Sequence, residues 1–510
     1  MKIKFILYSA LAGLLLFGIS CSKSFLEVTP KGESLESNYY QTPDQVFSAL
    51  VAVYNATEAE AGYGINWYSN KLGPLNSAGD ECYAGGGSST DMATYRVWNN
   101  YTMNPANAIS RKFWEQDYAG IYRDNLLISK LANSVPGLTD ETKARYIAEC
   151  KTLRAYFYFE LVRLFKNIPL STDPISTADM YNIVQAKPED VYAQIEKDLT
   201  EAVPVLPSTV ATSENGRLTK GAAMALLGKA ILYENNTARM ADAASWLNKV
   251  NTSGVYHLLT NYRDIFDPAN KFNAESIWEI GHSGTSQAYW GPSDFRGNVY
   301  CTMIGPRSYS ALTDPVHGAP DADHTYYSGW SFNPIIKTFA AKIHNDPRYK
   351  YTVADLDSLV AIGQASYLAG YDNTGLFIQK YAALLKWKAT IGQDVLNWPN
   401  NVIEIRLADT YLMEAEALVR ESGDLVRAQA LLDAVRARVG LASVPVTLDN
   451  IYNERMLELA TEGHRWFDLV RTGQAATVLA FKGFVAGTSE LLPIPLEELN
   501  NTKLVQNPGY

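Results

Sequence analysis

Cysteine is scarce in this chain. Cys21, Cys82, Cys150 and Cys301 stand far apart in 510 residues, a spacing from which neither a disulfide framework nor a zinc site follows. The six histidines, at positions 257, 282, 317, 324, 344 and 464, show no metal-ligand spacing either, so neither a metal nor another cofactor is expected. No glycine-rich loop runs into Lys-Ser or Lys-Thr and no nucleophile elbow occurs, which leaves phosphate-cradle and serine-hydrolase chemistry without support. Basic runs are missing too: 44 Lys and Arg face 54 Asp and Glu, a net charge of −10, so nucleic acid is not an expected partner. Beyond the amino terminus no apolar run is long enough to span a bilayer.

What remains is globular in composition, 47% hydrophobic and 19% charged, and long enough for two lobes or one repeat scaffold carrying insertions. Tyrosine is abundant: 32 Tyr and 10 Trp against 17 Phe, so most rings carry a polar handle suited to surfaces that are apolar on one side and wet on the other. At the amino terminus Lys2 and Lys4 precede an apolar stretch from Phe5 to Ile19, too short for a membrane span and ending at small residues before Cys21. Residues 1–20 read as a cleaved signal. The Gly18-Ile19-Ser20-Cys21 end resembles a lipobox, with Gly18 where leucine is usual, so Cys21 is the expected lipidation site. An ordinary secretory signal is the alternative.

Thr42-Pro43-Asp44-Gln45 combines a capping residue, proline at the first helical position and glutamine two further on, and predicts a helix running towards Glu60. The stretch 62–107 breaks the helical pattern with Gly85-Gly86-Gly87-Ser88-Ser89 flanked by Trp67, Tyr68, Tyr83 and Trp98, the kind of loop on which binding groups are carried. Tyr146, Cys150, Leu153, Phe157, Leu161 and Leu164 are spaced by 4, 3, 4, 4 and 3, one face of an amphipathic helix. A further helix is predicted to open at Pro188 and bury Val191, Ile195 and Leu199. Ala223 to Leu232 faces Ala244, Leu247 and Val250. Leu407, Tyr411, Ala415 and Leu418 face Leu425, Ala428, Leu432, Val435 and Val439 across the turn Glu421-Ser422-Gly423-Asp424. The expected fold is therefore mainly α, with tetratricopeptide-like helix pairs as a scaffold. The region 252–401, rich in Gly, Pro, Tyr and Trp, is expected to be a large irregular loop-rich insertion between a helical region, 21–251, and a carboxy-terminal helix pair and tail, 402–510.

Six segments, in order, resemble the SusD/RagB family: the start Cys21-Ser22-Lys23-Ser24-Phe25-Leu26-Glu27, residues 152–170, 217–233, 403–424 and 454–473, and the tail 491–510. The resemblance spans nearly the whole chain. It implies four tetratricopeptide-like pairs, capture of glycan at the outer surface of an outer membrane to which the protein is lipid-anchored, and a SusC-like TonB-dependent transporter as partner. Arg455, Glu458, Glu462, His464, Arg465 and Asp468 alternate in sign at helical spacing, which favours ion pairs that hold helices together.

A sugar ring offers C–H groups on its face and hydroxyls at its edge, so a glycan site needs flat aromatic side chains with polar groups at the rim. Trp67, Asp80, Tyr83 and Trp98 supply these in one loop-like region, and Tyr289, Trp290, Arg296, Tyr327 and Trp330 in another. Asp80 and Arg296 are assigned either hydroxyl contacts or a structural ion pair. A surface glycoside hydrolase is the alternative from another class. It would need two carboxyl groups flanking the scissile bond, for which Asp80-Glu81 is the sole adjacent acidic pair beside the aromatic loop. A helical assembly scaffold without glycan binding is a third reading. Cys21→Ala is expected to abolish incorporation of a fatty-acid analogue in metabolic labelling, and equal label in variant and wild type would refute the anchor.

Overall fold

The computed structural model describes residues 39–58, 71–290 and 296–510. The signal segment, Cys21 and Trp67 lie outside them. The long helices are α1 (Pro43–Glu58), α4 (Ala108–Leu131), α5 (Asp140–Phe165), α6 (Pro188–Ala202), α7 (Lys220–Glu234), α8 (Met240–Asn251), α9 (Leu407–Arg420), α10 (Leu425–Arg438) and α11 (Leu448–Glu458). Shorter α2 (Leu72–Ala78) and α3 (Ala93–Asn99) lie between α1 and α4, and α12 (Arg465–Arg471) follows α11. From α4 to α10 each long helix packs on the next, and α1 packs on α4. The result is a mainly α scaffold of stacked helix pairs.

Local chemistry explains the boundaries. The Thr42 hydroxyl accepts the Gln45 amide and its carbonyl the Val46 amide, opening α1. Thr139, Thr219, Asp424 and Thr447 cap α5, α7, α10 and α11 in the same way. Helix α5 is buried nearly all round from Ala148 onward, not only along its apolar stripe. Its polar residues are paired inside the scaffold: Arg154 donates to both Asp198 oxygens at 2.8 and 2.6 Å, and Glu149 accepts from Arg145 and Arg217. Where α7 and α8 cross, the close approach requires glycine: a Cβ on Gly228 would sit 2.6 Å from Leu247 Cγ.

The insertion leaves after α8 and returns before α9, yet α8 and α9 pack directly together. It is joined to the scaffold by an antiparallel pairing of β1 (Ser276–Ile280) with β2 (Val402–Arg406), the strand that feeds α9. Two further two-stranded sheets, Arg307–Ala311 with Ala365–Leu368 and Val353–Asp355 with Leu376–Ile378, lie within it. A continuous apolar core runs through insertion and scaffold alike. The tail is fixed as well: Asn507 donates to the carbonyls of Phe165 and Leu492.

Beneath the insertion lies a buried ionic cluster. Arg406 donates to Glu462 Oε2 (2.8 Å), Glu275 Oε1 (3.0 Å), Glu458 Oε1 (2.5 Å), Glu462 Oε1 (2.8 Å) and the Glu458 carbonyl (2.8 Å). Arg348 bridges Glu454 and Glu458, Lys380 reaches Glu462, and Arg438 clasps Glu275. A second cluster joins Arg455 to Asp409 and Asp468, with Arg471 linking Asp468 to Glu416. These are the ion pairs that the alternating charges of 455–468 predict. Burial alone would raise the Glu458 carboxyl, but Arg438, Arg406 and Arg348 outweigh it and hold it well below the usual range.

His464 is buried beside the second cluster, and burial followed by the charge of Lys229 pushes its pKa down to about 3. Its folded pKa is depressed, so the unfolded chain takes up the proton first and stability is lost as pH falls from about 6.5 towards 3. The depressed Glu458 acts in the same direction below about pH 4.5. Chemical unfolding of His464→Gln is expected to show a flatter pH dependence than wild type between pH 6.5 and 4.5; parallel curves would contradict the assignment.

Candidate functional site

The two aromatic regions that the sequence presents separately are joined by a backbone ladder. Residues 81–86 run antiparallel to 331–336: Ile336 donates to the Glu81 carbonyl (2.9 Å), Tyr83 to that of Pro334 (3.0 Å), Asn333 to that of Ala84 (3.1 Å) and Gly86 to that of Ser331 (2.8 Å). Gly85 has φ +70°, and a Cβ there would stand 2.3 Å from the Ser331 carbonyl oxygen, so the close approach requires glycine. This ladder ends beside Trp330.

Trp330 is held from both sides. Its amide donates to the Thr302 carbonyl (3.1 Å), and those of Gly329 and Ser331 donate to Pro306 and Gly305. Arg307 Nη1 donates to the Trp330 carbonyl at 3.3 Å. A Cβ on Gly329 would lie 2.4 Å from Gly305 Cα. The ring of Trp330 stacks with that of Trp290, centroids 6.2 Å apart and planes 25° from parallel. Trp290 is 45% exposed and Tyr289 54%. Arg296 is exposed, with its carbonyl accepting the Ser283 amide. Tyr327 is half-buried: its ring meets Trp398 edge-on, and its hydroxyl donates to Asp394 at 3.0 Å.

Two of the sequence assignments are corrected by burial. Trp98 lies in α3 at 1% exposure, edge-on to Trp466 and Phe113 at 5.2 and 6.0 Å, and is a core residue rather than a platform. Asp80 is 3% exposed and accepts from Arg465 Nε (2.7 Å) and Lys342 Nζ (3.0 Å). It takes the structural ion pair of its two assigned roles. Tyr83 is half-buried, its ring 5.8 Å from the Lys482 ammonium, and it lends the surface its backbone more than its ring.

The Asp80-Glu81 pair has the unequal proton affinities that glycosidases use. Burial raises the Asp80 carboxyl, but Arg465 and Lys342 more than reverse it, whereas burial and then the Asp80 charge push Glu81 up to about 8. Yet Glu81 is 1% exposed and its Oε1 accepts the Thr461 amide, so neither carboxyl can flank a sugar bond. Among the described residues no group of three or more His, Cys, Asp or Glu side chains is arranged to hold a metal ion, and no helix is long and apolar enough to cross a membrane.

Two surface residues escaped the sequence reading. Tyr371, 38% exposed, lies under the Arg96 guanidinium at 4.0 Å, and its amide donates to the Gly86 carbonyl. Its setting, Gly370-Tyr371-Asp372-Asn373, carries the same glycine-plus-aromatic signal as the other loops. Arg307 has no such signal, because only the fold brings it to Trp330.

Residues 360–510 match the SusD family, and residues 24–232 a family described as "Starch-binding associating with outer membrane". A solved "Laminarin binding SusD-like protein" is 44% identical, covers 92% of this chain and 100% of its own, and superposes with a TM-score of 0.86. This chain belongs to the SusD family. Surface glycan-binding protein A from Bacteroides thetaiotaomicron, solved in complex with laminarihexaose, is 28% identical over 91% of this chain and 99% of its own, with a TM-score of 0.81. A SusD-like protein of Formosa agariphila is 26% identical over 97% of this chain and 98% of its own.

Trp98→Ala is expected to destabilise the fold by about 3–5 kcal/mol, the cost of emptying a buried aromatic site, while Trp290→Ala shifts stability by less than about 0.5 kcal/mol. Denaturant titration of the two variants checks this, and equal effects would refute the division into core and surface rings.

Proposed function

We propose that this chain is a surface glycan-binding lipoprotein that captures oligo- or polysaccharide and delivers it to a SusC-like TonB-dependent transporter in the outer membrane. The observation that carries the binding role is the Trp290–Trp330 pair on a backbone pinned by hydrogen bonds. A sugar clasped between two rings needs roughly 7–8 Å between their planes, twice the optimal carbon–carbon separation. Centroids at 6.2 Å leave no such slot, so the ligand lies across both rings, its hydroxyls reached by Arg296, Arg307 and the Tyr289 and Tyr327 hydroxyls. Trp67 joins the same set as a proposed ring.

The relatives supply the first ligand to try. One 44% identical is named for laminarin binding and another was solved with laminarihexaose, so a glucan of the laminarin type is the proposed class. Anchoring through Cys21, the outward-facing position and the transporter partner rest on family membership. A non-enzymatic role is supported by the burial of Asp80 and Glu81 and by the binding names of the relatives.

Calorimetry with laminarihexaose on the soluble domain is the test. Trp290→Ala and Trp330→Ala are each expected to lose roughly 1–3 kcal/mol of binding with unchanged circular dichroism, and no shorter oligosaccharides should accumulate. Wild-type affinity in both variants would show that the platform is elsewhere, and accumulation of hydrolysis products would favour the enzyme.

A further inference from the structure

A second pocket, of about 260 Å³, opens in the insertion away from the tryptophan pair. Its apolar lining includes Phe266, Tyr351 and Trp387, and Asp323 stands among its charged residues with Arg263 and Lys386. The Asp323 carboxylate accepts from Arg263 Nη2 at 2.6 Å and from Lys386 Nζ at 2.7 Å. Lys350, also in the lining, makes no ion pair among the described residues; its ammonium stands 4.9 Å from the Tyr351 ring. Two polar atoms of lining residues, the indole Nε1 of Trp387 and the Oδ1 of Asn400, are buried with no hydrogen-bond partner among the described residues.

Both atoms have almost no accessible surface, so the groups that face a ligand are the rings, Asp323 and Lys350. Aromatic walls with a shared carboxylate at the rim offer a sugar the same division of labour as the platform: C–H faces against rings, hydroxyls against charged groups. We infer that this pocket is a second saccharide site, which takes a single sugar unit or chain end against Trp387, separate from the Trp290–Trp330 platform.

The two places are mechanically joined. The segment running through Ala383 to Lys388 pairs with the segment of Tyr327: Tyr327 donates to the Ala383 carbonyl (2.7 Å) and Leu385 to that of Thr325 (3.0 Å). Lys388 pairs with the Asp394 carboxylate that also accepts the Tyr327 hydroxyl. Leu384, Lys386 and Trp387 of that segment line the pocket. One glycan, or two, can therefore be held against a single rigid ridge. The inference takes from the proposed function only the class of ligand.

Fluorine NMR of protein labelled with 5-fluorotryptophan reads the sites separately, with resonances assigned by Trp290→Phe, Trp330→Phe and Trp387→Phe. Glucose and laminarihexaose are the probes. The Trp387 resonance is expected to shift saturably in wild type and equally in the Trp290→Ala/Trp330→Ala double variant, and Asp323→Asn to weaken that shift about ten-fold. A Trp387 resonance that neither probe moves overturns the second site, whatever the platform does. A shift that disappears in the platform double variant overturns it too, because it was transmitted from the platform. Movement at Trp387 with none at Trp290 or Trp330 upholds the pocket and refutes the platform instead.

Discussion

The rest of the structure depends on the charges buried around Arg406. A guanidinium and several carboxylates at 0–4% exposure are tolerable only while each stays paired, because removing one partner from such a cluster costs about 3–5 kcal/mol. The partners come from distant stretches of chain. Glu275 precedes β1, Arg348 and Lys380 sit deep in the insertion, Glu458 ends α11 and Glu462 follows it. A loop-rich region of 150 residues, which could have hung loosely from a helical scaffold, is thereby bound to it at a point where separation would strand several charges at once.

That rigidity reaches the surface through a short chain of polar contacts. Glu462 lies in a turn whose neighbours Thr461 and Gly463 both bond Asn76. Asn76 donates to the Tyr300 hydroxyl at 3.0 Å, which donates to Asn333 Oδ1 at 3.1 Å. Asn333 has φ +49° and Ser331 φ +62°, conformations that non-glycine residues hold only where the surroundings impose them. Between this strained segment and the Gly305 contact sits Trp330. A ring fixed before the ligand arrives spares the ordering cost that a mobile loop would pay on binding.

Helix positions were legible in the sequence because caps and periodicity are local: Thr42-Pro43, Pro188 and the 146–164 stripe each mark what the structure contains. The ionic role of 454–468 was legible for the same reason. The site was legible only in part. Trp290 and Trp330 carry a loop signal and are at the surface, but Trp98 carries the same signal and is core, since the buried rings of Trp98 and Trp466 and the partly buried Phe113 meet from separate segments. Asp80 meets Arg465 across 385 residues, and no local pattern announces such a partner. Composition can say that rings and charges occur in a loop, but their burial is decided by what else arrives there.

The proposed platform is open to solvent on one side. Two rings beneath a glycan would cover one face and leave the other in water, so the gain would be a few kcal/mol per sugar contact and not the total enclosure that makes binding nearly irreversible. The proposed delivery role needs that limit, because affinity among related complexes is set mainly by the rate of release. Two weak contacts, the proposed platform and the inferred pocket, would reconcile capture with release: each lets go quickly, while the glycan chain as a whole stays near the surface until both have done so.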